Sequence, residues 1–307
     1  MPNRMDPDFS RAAAPQPEMP AAAAARVADY YNRNTARFLK LGGSGEAAAI
    51  HRAIWAPGVN NRNEAFLYLN RLVADAVRPL LQTADDAHLL DLGCGVGGTT
   101  TWLAQALGAK VTGITLSTTQ RRLAEERASS LGLDHSTRFL VADFTDPEAL
   151  AQLPVARAAC AIESFAHVSD PRRFFAVAAQ LLTPGGRLIV CDYFLAPQGS
   201  AERGARRAQY WQQRVRDGWH LHSLQPEQEV ISLAAEAGFR LLELRDHSPH
   251  TRSLPPVLLA LASQLTRLPL PGAYWKNLSG GTALQHCLRN GWTRYLSLIW
   301  ERDSSPG

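Results

Sequence analysis

The residues of this chain best equipped for chemistry sit at the ends of short apolar runs. "DLGCGVGG", from Asp91 to Gly98, follows one such run and opens a helical pattern. Gly93 and Gly95 permit a tight turn and close approach of the backbone to a ligand. Gly93, Gly95 and Gly98 together satisfy the G-x-G-x-x-G spacing of nucleotide-binding turns. Asp91 stands just before them, where a carboxylate suits a cationic or ammonium group and repels a pyrophosphate. Asp143 and Phe144 end a third apolar run, an acid to accept from an amino group with a ring beside it to stack. Glu163 and His167, in "AIESFAHV", follow a fourth run and are candidate proton acceptors. One expected group is missing. A nucleotide fold usually places an acid about twenty residues past the glycines to hold ribose hydroxyls. Here "GITLSTTQ" puts Thr115 in that place, with Gln120 one turn into the next helix.

These residues need a scaffold to position them. "HLLDLG", "KVTGIT", "TRFLVAD", "AACAIES" and "RLIVCDYF" read as strands. Between them run "GGTTTWLAQALG", closed by Gly108, then "TTQRRLAEERASSLG" and "DPRRFFAVAAQLL". The last of these helices takes Asp170 as N-cap and Pro171 in its first turn, and "TPGG" turns the chain into the fifth strand. This alternation predicts an α/β fold, a parallel sheet with helices on both faces. Upstream, residues 25–41 place Val27, Tyr31, Asn34 and Phe38 along one helical stripe stopped by "GGSG", and a second helix runs from Glu64 to Leu81. Downstream, "PEQEVISLAAEAGF", "RLLELRDH", "TALQHCLRNG" and "TRYLSLIWER" supply helix, strand, helix and strand. Two stretches break the alternation, an Arg- and aromatic-rich one at 196–224 and a Pro- and Leu-rich one at 249–280. The division expected is a disordered Ala- and Pro-rich tail at 1–24, an N-terminal helical cover at 25–84, and a catalytic domain at 85–307 carrying both insertions.

The glycine turn, Asp143 with Phe144, and "LTPGGRLIV" together resemble the class I S-adenosylmethionine-dependent methyltransferases across residues 85–195. The resemblance implies a Rossmann-like seven-stranded sheet, with the last strand inserted antiparallel between the fifth and sixth. It also implies S-adenosylmethionine as cofactor, held by Asp91, Gly93, Gly95, Thr115, Gln120, Asp143 and Phe144. Thr115 then ceases to be an anomaly. The pattern Gly113, Ile114, Thr115, Leu116, Ser117 and Gln120 is similar to that of tocopherol methyltransferases, prenyl diphosphate C-methyltransferases and cyclopropane and mycolic acid synthases. The resemblance implies that Gln120, with Thr115, replaces the acid, since an amide both donates to and accepts from hydroxyls.

Those relatives mostly methylate carbon on lipid-like or isoprenoid acceptors. The expectation is therefore a C-methyltransferase acting on an alkene carbon of an isoprenoid, foremost a prenyl diphosphate, with Glu163 as base or cation stabiliser and His167 as second candidate base. Tyr30, Arg33, His51, Arg52, Trp55 and Tyr210 are the candidate acceptor-binding residues, because aromatic faces stabilise a cation while Arg and His grip a diphosphate. Mg²⁺ would arrive with the diphosphate, as no DDxxD-type acidic cluster is present to hold it. The alternatives are a quinol-ring C-methyltransferase of the tocopherol type and a small-molecule O- or N-methyltransferase of secondary metabolism.

Bulk properties narrow the partners. The 307 residues carry a formal net charge of +4, which does not by itself indicate nucleic acid, and "IESF" stands where nucleic-acid methyltransferases carry N/D-P-P-Y/F. Four scattered cysteines with no C-x-x-C spacing suggest a reducing compartment and no metal site. The apolar runs are too short to span a membrane. A cytoplasmic enzyme on a small apolar substrate, compatible with a homo-oligomer, is the resulting expectation.

Overall fold

The computed structural model describes residues 20–42, 51–81, 87–197, 202–268, 270 and 272–304. Residues 1–19 of the expected tail lie outside these, as do residues 43–45 of the "GGSG" stop, whose first glycine, Gly42, is described. A single seven-stranded sheet organises the rest: β1 (His88–Leu92), β2 (Lys110–Thr115), β3 (Thr137–Val141), β4 (Ala156–Ile162), β5 (Leu182–Leu195), β6 (Phe239–Asp246) and β7 (Thr293–Arg302). Their spatial order is β3-β2-β1-β4-β5-β7-β6. The first five pair in parallel, and β7 runs antiparallel to both β5 and β6, as the resemblance implied.

The strands read as apolar on both sides because both faces are covered. Period two sorts their residues. Leu89, Val111, Cys160, Ile189 and Ile299 enter one core, with α2 (Arg62–Leu81), α3 (Gly98–Leu107), α7 (Glu202–Trp219) and α10 (Ala273–Arg289) packed on it. Their neighbours Leu90, Ile114, Ala159, Leu188, Leu298 and Trp300 enter the other, under α6 (Pro171–Leu181) and α8 (Glu227–Glu236). Each fully buried aliphatic side chain contributes about 1.5–3 kcal/mol.

Local chemistry sets the helix ends. Asp170 caps α6 by accepting from the Arg173 N–H, with Pro171 in the first turn. Ser117 caps α4 (Thr118–Ser130) by accepting from the Gln120 N–H. Gly108 closes α3 with a backbone φ of 63°.

Some boundaries differ from the sequence expectation. α1 (Pro20–Gly42) begins five residues earlier than the stripe suggested, because its Ala-rich lead-in is a good helix former. α5 (Pro147–Leu150), capped by Asp146, was not foreseen. "TPGG" lies within β5 rather than before it. β3 stops at Val141, so Asp143 stands two residues beyond the strand. The 249–280 stretch holds α9 (Pro256–Leu265) and the start of α10, so the final helix is longer than "TALQHCLRNG" alone.

Candidate functional site

A cavity of about 660 Å³ opens at the C-terminal ends of β1, β2, β4 and β5, where the strand order reverses between β1 and β4. Open α/β sheets expose strand-end backbone there without a clash. α1, residues 51–53, the end of α7, α9 and α10 close over it.

Gly93 shapes its floor. Its φ is 91°, and a Cβ there would stand 2.3 Å from Ser164 Cβ. Both facts demand glycine. Gly95 also has a positive φ, 54°. Gly113 explains the "GIT" of the second strand, since a Cβ on it would lie 2.9 Å from Cys94 and Phe139. Asp91 lines the floor and is buried. Its Oδ2 accepts from the Thr100 hydroxyl at 2.6 Å, and burial pushes the carboxyl up to about 6.

At the end of β2, Thr115 Oγ1 donates to Gln120 Oε1 at 2.7 Å. That bond occupies the amide oxygen and leaves the Nε2 donors of Gln120, a lining residue, for the cavity. Ser117 joins the arrangement to the cover. Its hydroxyl donates to Asn32 Oδ1 of α1 at 2.6 Å, and the Thr119 N–H reaches the same oxygen at 3.3 Å. Asn32 was not singled out from the sequence, because nothing local marks a polar residue on α1 as the partner of a helix cap 85 positions away. Asp143 and Phe144 line the same end. Asp143 Oδ1 accepts from both the N–H and the hydroxyl of Thr145, and Phe144 packs edge-on to Phe174.

The opposite side of the cavity is built around Glu163. Its φ is 50°, a left-handed conformation that costs a non-glycine residue about 1 kcal/mol or more. Oε1 accepts from the backbone N–H of Arg52 at 2.6 Å and from the Tyr295 hydroxyl at 3.0 Å. With both bonds on Oε1, Oε2 keeps its lone pairs. Tyr193 lines the wall beside it, taking a bond from Arg52 Nε at 2.7 Å and meeting Tyr295 edge-to-face. Residues 51–56 hold this position as a strap: Ile54 bridges Thr251, its N–H donates to the Ala65 carbonyl, and the Trp55 N–H donates to that of His250.

Asp192, the residue before Tyr193, also lines the cavity. Its carboxylate accepts from the Ala166 and Tyr193 N–H groups, and burial pushes it up to about 7. Neither Asp192, Tyr193 nor Tyr295 was foreseen as a site residue. The strand pattern marks them only as sheet positions.

His167 is fixed at both nitrogens. Nδ1 faces the His220 carbonyl at 3.2 Å, and a carbonyl only accepts, so Nδ1 carries the proton. Nε2 therefore accepts from the Tyr31 hydroxyl at 3.0 Å. Burial lowers this imidazole to about 4, so it is neutral near pH 7. His51 is buried at the wall, lowered by burial, and its Nε2 has no hydrogen-bond partner among the described residues.

Of the expected acceptor residues, Tyr30, His51 and Arg52 line the cavity. Three others do not. Arg33 is exposed and pairs with Asp29 at 2.8 Å, one turn back on α1. Trp55 lies beneath the Arg252 guanidinium, 3.3 Å from ring centroid to Cζ. Tyr210 packs edge-on to Trp211 and beneath Arg214. Among the described residues no cluster of three or more His, Cys, Asp or Glu side chains could hold a metal ion, and no helix is long and apolar enough to cross a membrane.

Comparison with known proteins agrees with this fold. The chain is 29% identical to an O-methyltransferase of Pyrenophora dematioidea over 264 residues, 83% of this chain and 90% of that protein. It is 34% identical to methyltransferase GfsG of Streptomyces halstedii over 179 residues, 56% of this chain and 59% of that one. Among solved structures, a geranyl diphosphate methyltransferase in complex with GPP and sinefungin superposes with a TM-score of 0.68 at 22% identity, covering 91% of this chain and 99% of that one. The [4+2]-cyclase SpnF superposes with a TM-score of 0.69 at 23% identity, covering 92% and 97%. These two likenesses concern the fold. The family model for the methyltransferase domain matches residues 65–244, from the second helix through the sixth strand, and the chain belongs to that family as an S-adenosylmethionine-dependent methyltransferase.

Proposed function

We propose that this enzyme transfers the methyl to an alkene carbon of an uncharged, isoprenoid-like acceptor. The observation that carries the reading is Glu163, a carboxylate held in a strained backbone conformation through two bonds to Oε1, lining a cavity walled by Tyr30, Tyr31, Phe66, Tyr193 and Trp219. Carbon methylation of an alkene leaves a cation on the acceptor. A fixed carboxylate and aromatic faces stabilise it, and the carboxylate then takes a proton from the adjacent carbon to restore a double bond.

The residues at the other end of the cavity fit a nucleoside. Gly93 makes a tight turn that any Cβ would drive into Ser164, Gln120 Nε2 would donate to the ribose hydroxyls with Thr115 holding the amide, Asp143 would accept from the adenine amino group beside Phe144, and Asp91 would hold the amino-acid end. When bound, S-adenosylmethionine supplies an electrophilic methyl on a sulfonium. The protein orients the acceptor in line with it and excludes water.

A prenyl diphosphate suits this cavity less than an uncharged isoprenoid. Among its described lining residues, Arg52 stands against Asp91, Asp143, Glu163 and Asp192, and the Arg52 Nε is engaged by Tyr193. Arg33, expected to grip the diphosphate, is on the surface. A second reading, O-methylation, is favoured by the Pyrenophora relative, matched over most of its length. Incubation with methyl-labelled S-adenosylmethionine and, separately, a terpene alcohol, a prenylated quinol, geranyl diphosphate and farnesyl diphosphate tests the reading. The expected product is a hydrocarbon-chain methyl on an uncharged acceptor, located by fragmentation in mass spectrometry. Label found only on oxygen, or only on the diphosphates, overturns it.

A further inference from the structure

α9 presents an apolar face to water. Val257, Leu258, Leu261 and Leu265 are 70%, 50%, 61% and 52% exposed. They fall at helical spacing on one side, while Leu259 and Ser263 on the other side are buried. Leu268 and Leu270 extend the patch beyond the helix, and both are half exposed. Contiguous apolar surface of this kind marks an interaction site. It adjoins the cavity, whose lining includes Ala262 of α9, Leu254 just before that helix, and Tyr274 and Leu278 of α10.

The charges around the patch identify the occupant. From His247 to Trp300 the sequence contains no Asp or Glu. Arg252, Arg267 and Lys276 are exposed beside the apolar residues. Leucines bordered by basic side chains match the surface of an anionic bilayer, with acyl chains under the leucines and phosphate groups at the cations. A second copy on the same face would bring like charges together across a two-fold axis.

We propose that α9 and the turn after it lie in the surface of an anionic lipid bilayer, with the cavity mouth facing the membrane. The docking is argued from this surface alone. Its consequence, that an apolar acceptor enters from the lipid phase, rests on the functional reading above.

The test is co-sedimentation of the full chain, without acceptor, on vesicles of phosphatidylcholine alone and of phosphatidylcholine with phosphatidylglycerol. The double variant Val257→Glu, Leu261→Glu serves as comparison, since neither residue lines the cavity. Unchanged calorimetric affinity of the variant for S-adenosylmethionine shows that it is folded. Wild type is expected to bind the mixed vesicles, to weaken with salt, and to exceed the variant by about tenfold or more. Equal sedimentation of the two proteins, or a wild type that stays in solution with both vesicles, overturns the proposal. A wild-type dimer without lipid, abolished in the variant and accompanied by no vesicle binding, assigns the patch to a second copy instead. Because no acceptor is present, failure of the isoprenoid reading leaves this result untouched.

Discussion

The two ends of the cavity are built in different ways. The end proposed to hold the cofactor uses residues close in sequence: Asp91 and Gly93 on one turn, Thr115 and Gln120 on the next, Asp143 and Phe144 on a third. Each turn follows its own strand, so the sheet alone sets their spacing. The acceptor end is assembled from segments far apart. Glu163 meets Arg52 across 111 positions and Tyr295 across 132, and Tyr31 meets His167 across 136. Strand-end turns conserve a shape that many proteins share, whereas long-range contacts are free to vary with the acceptor.

That contrast can be broken most sharply at Glu163. Glu163→Gln keeps the shape of the side chain and removes the proposed base. We expect turnover to fall by about 10³-fold with cofactor affinity unchanged, read by steady-state kinetics and calorimetry. Parallel loss of cofactor binding would merge the two ends into one unit.

Asp192 tests the acceptor end through pH. Its native value, raised to about 7, exceeds the ordinary 3.8 of an unfolded Asp. The folded state then holds the proton that the unfolded state has released. Stability from this group is present below about 4 and is lost as pH rises towards 7. Asp192→Asn should become more stable relative to wild type across that window, measured by urea unfolding without cofactor. A difference independent of pH would mean that Asp192 titrates normally.

Gln120→Ala is the matching probe of the cofactor end. Loss of the donors held by Thr115 should weaken S-adenosylmethionine by about tenfold with the fold intact. An affinity unchanged by calorimetry would reassign the ribose contact. The smallest effect is expected at Arg33→Ala, less than about twofold on any kinetic constant, because an exposed pair with Asp29 contributes little. A large rise in KM there would restore Arg33 to the acceptor site.

How far the sequence could be read follows the same division. Gly93, Asp143 and the Thr115–Gln120 pair were legible because glycine and polar residues at strand ends carry a local signal. The parallel part of the sheet was legible from alternating elements, whereas the place of the last strand between the fifth and sixth came only from the resemblance to class I methyltransferases. Trp55 and Tyr210 have the residue type of an aromatic wall, yet Arg252 and Arg214 claim their faces. Arg33 could have been discounted, since Asp29 sits four positions before it on a helix. Tyr295 and Asp192 could not have been found, because a buried Tyr or Asp within a strand looks alike whether it packs or serves a neighbour.

The position of β7 between β5 and β6 has a consequence for how the molecule is made. A ribosome delivers β5 and β6 before the strand that must lie between them. Until β7 emerges, β5 presents a bare edge that invites pairing with another chain, and β6 has no partner in the sheet. Tyr295 travels on that late strand. The turns after β1, β2 and β3 are all synthesised before β7, whereas Glu163 lacks one of its two hydrogen-bond donors until the sheet is closed. Completion of the Glu163 environment thus waits on insertion of a single strand.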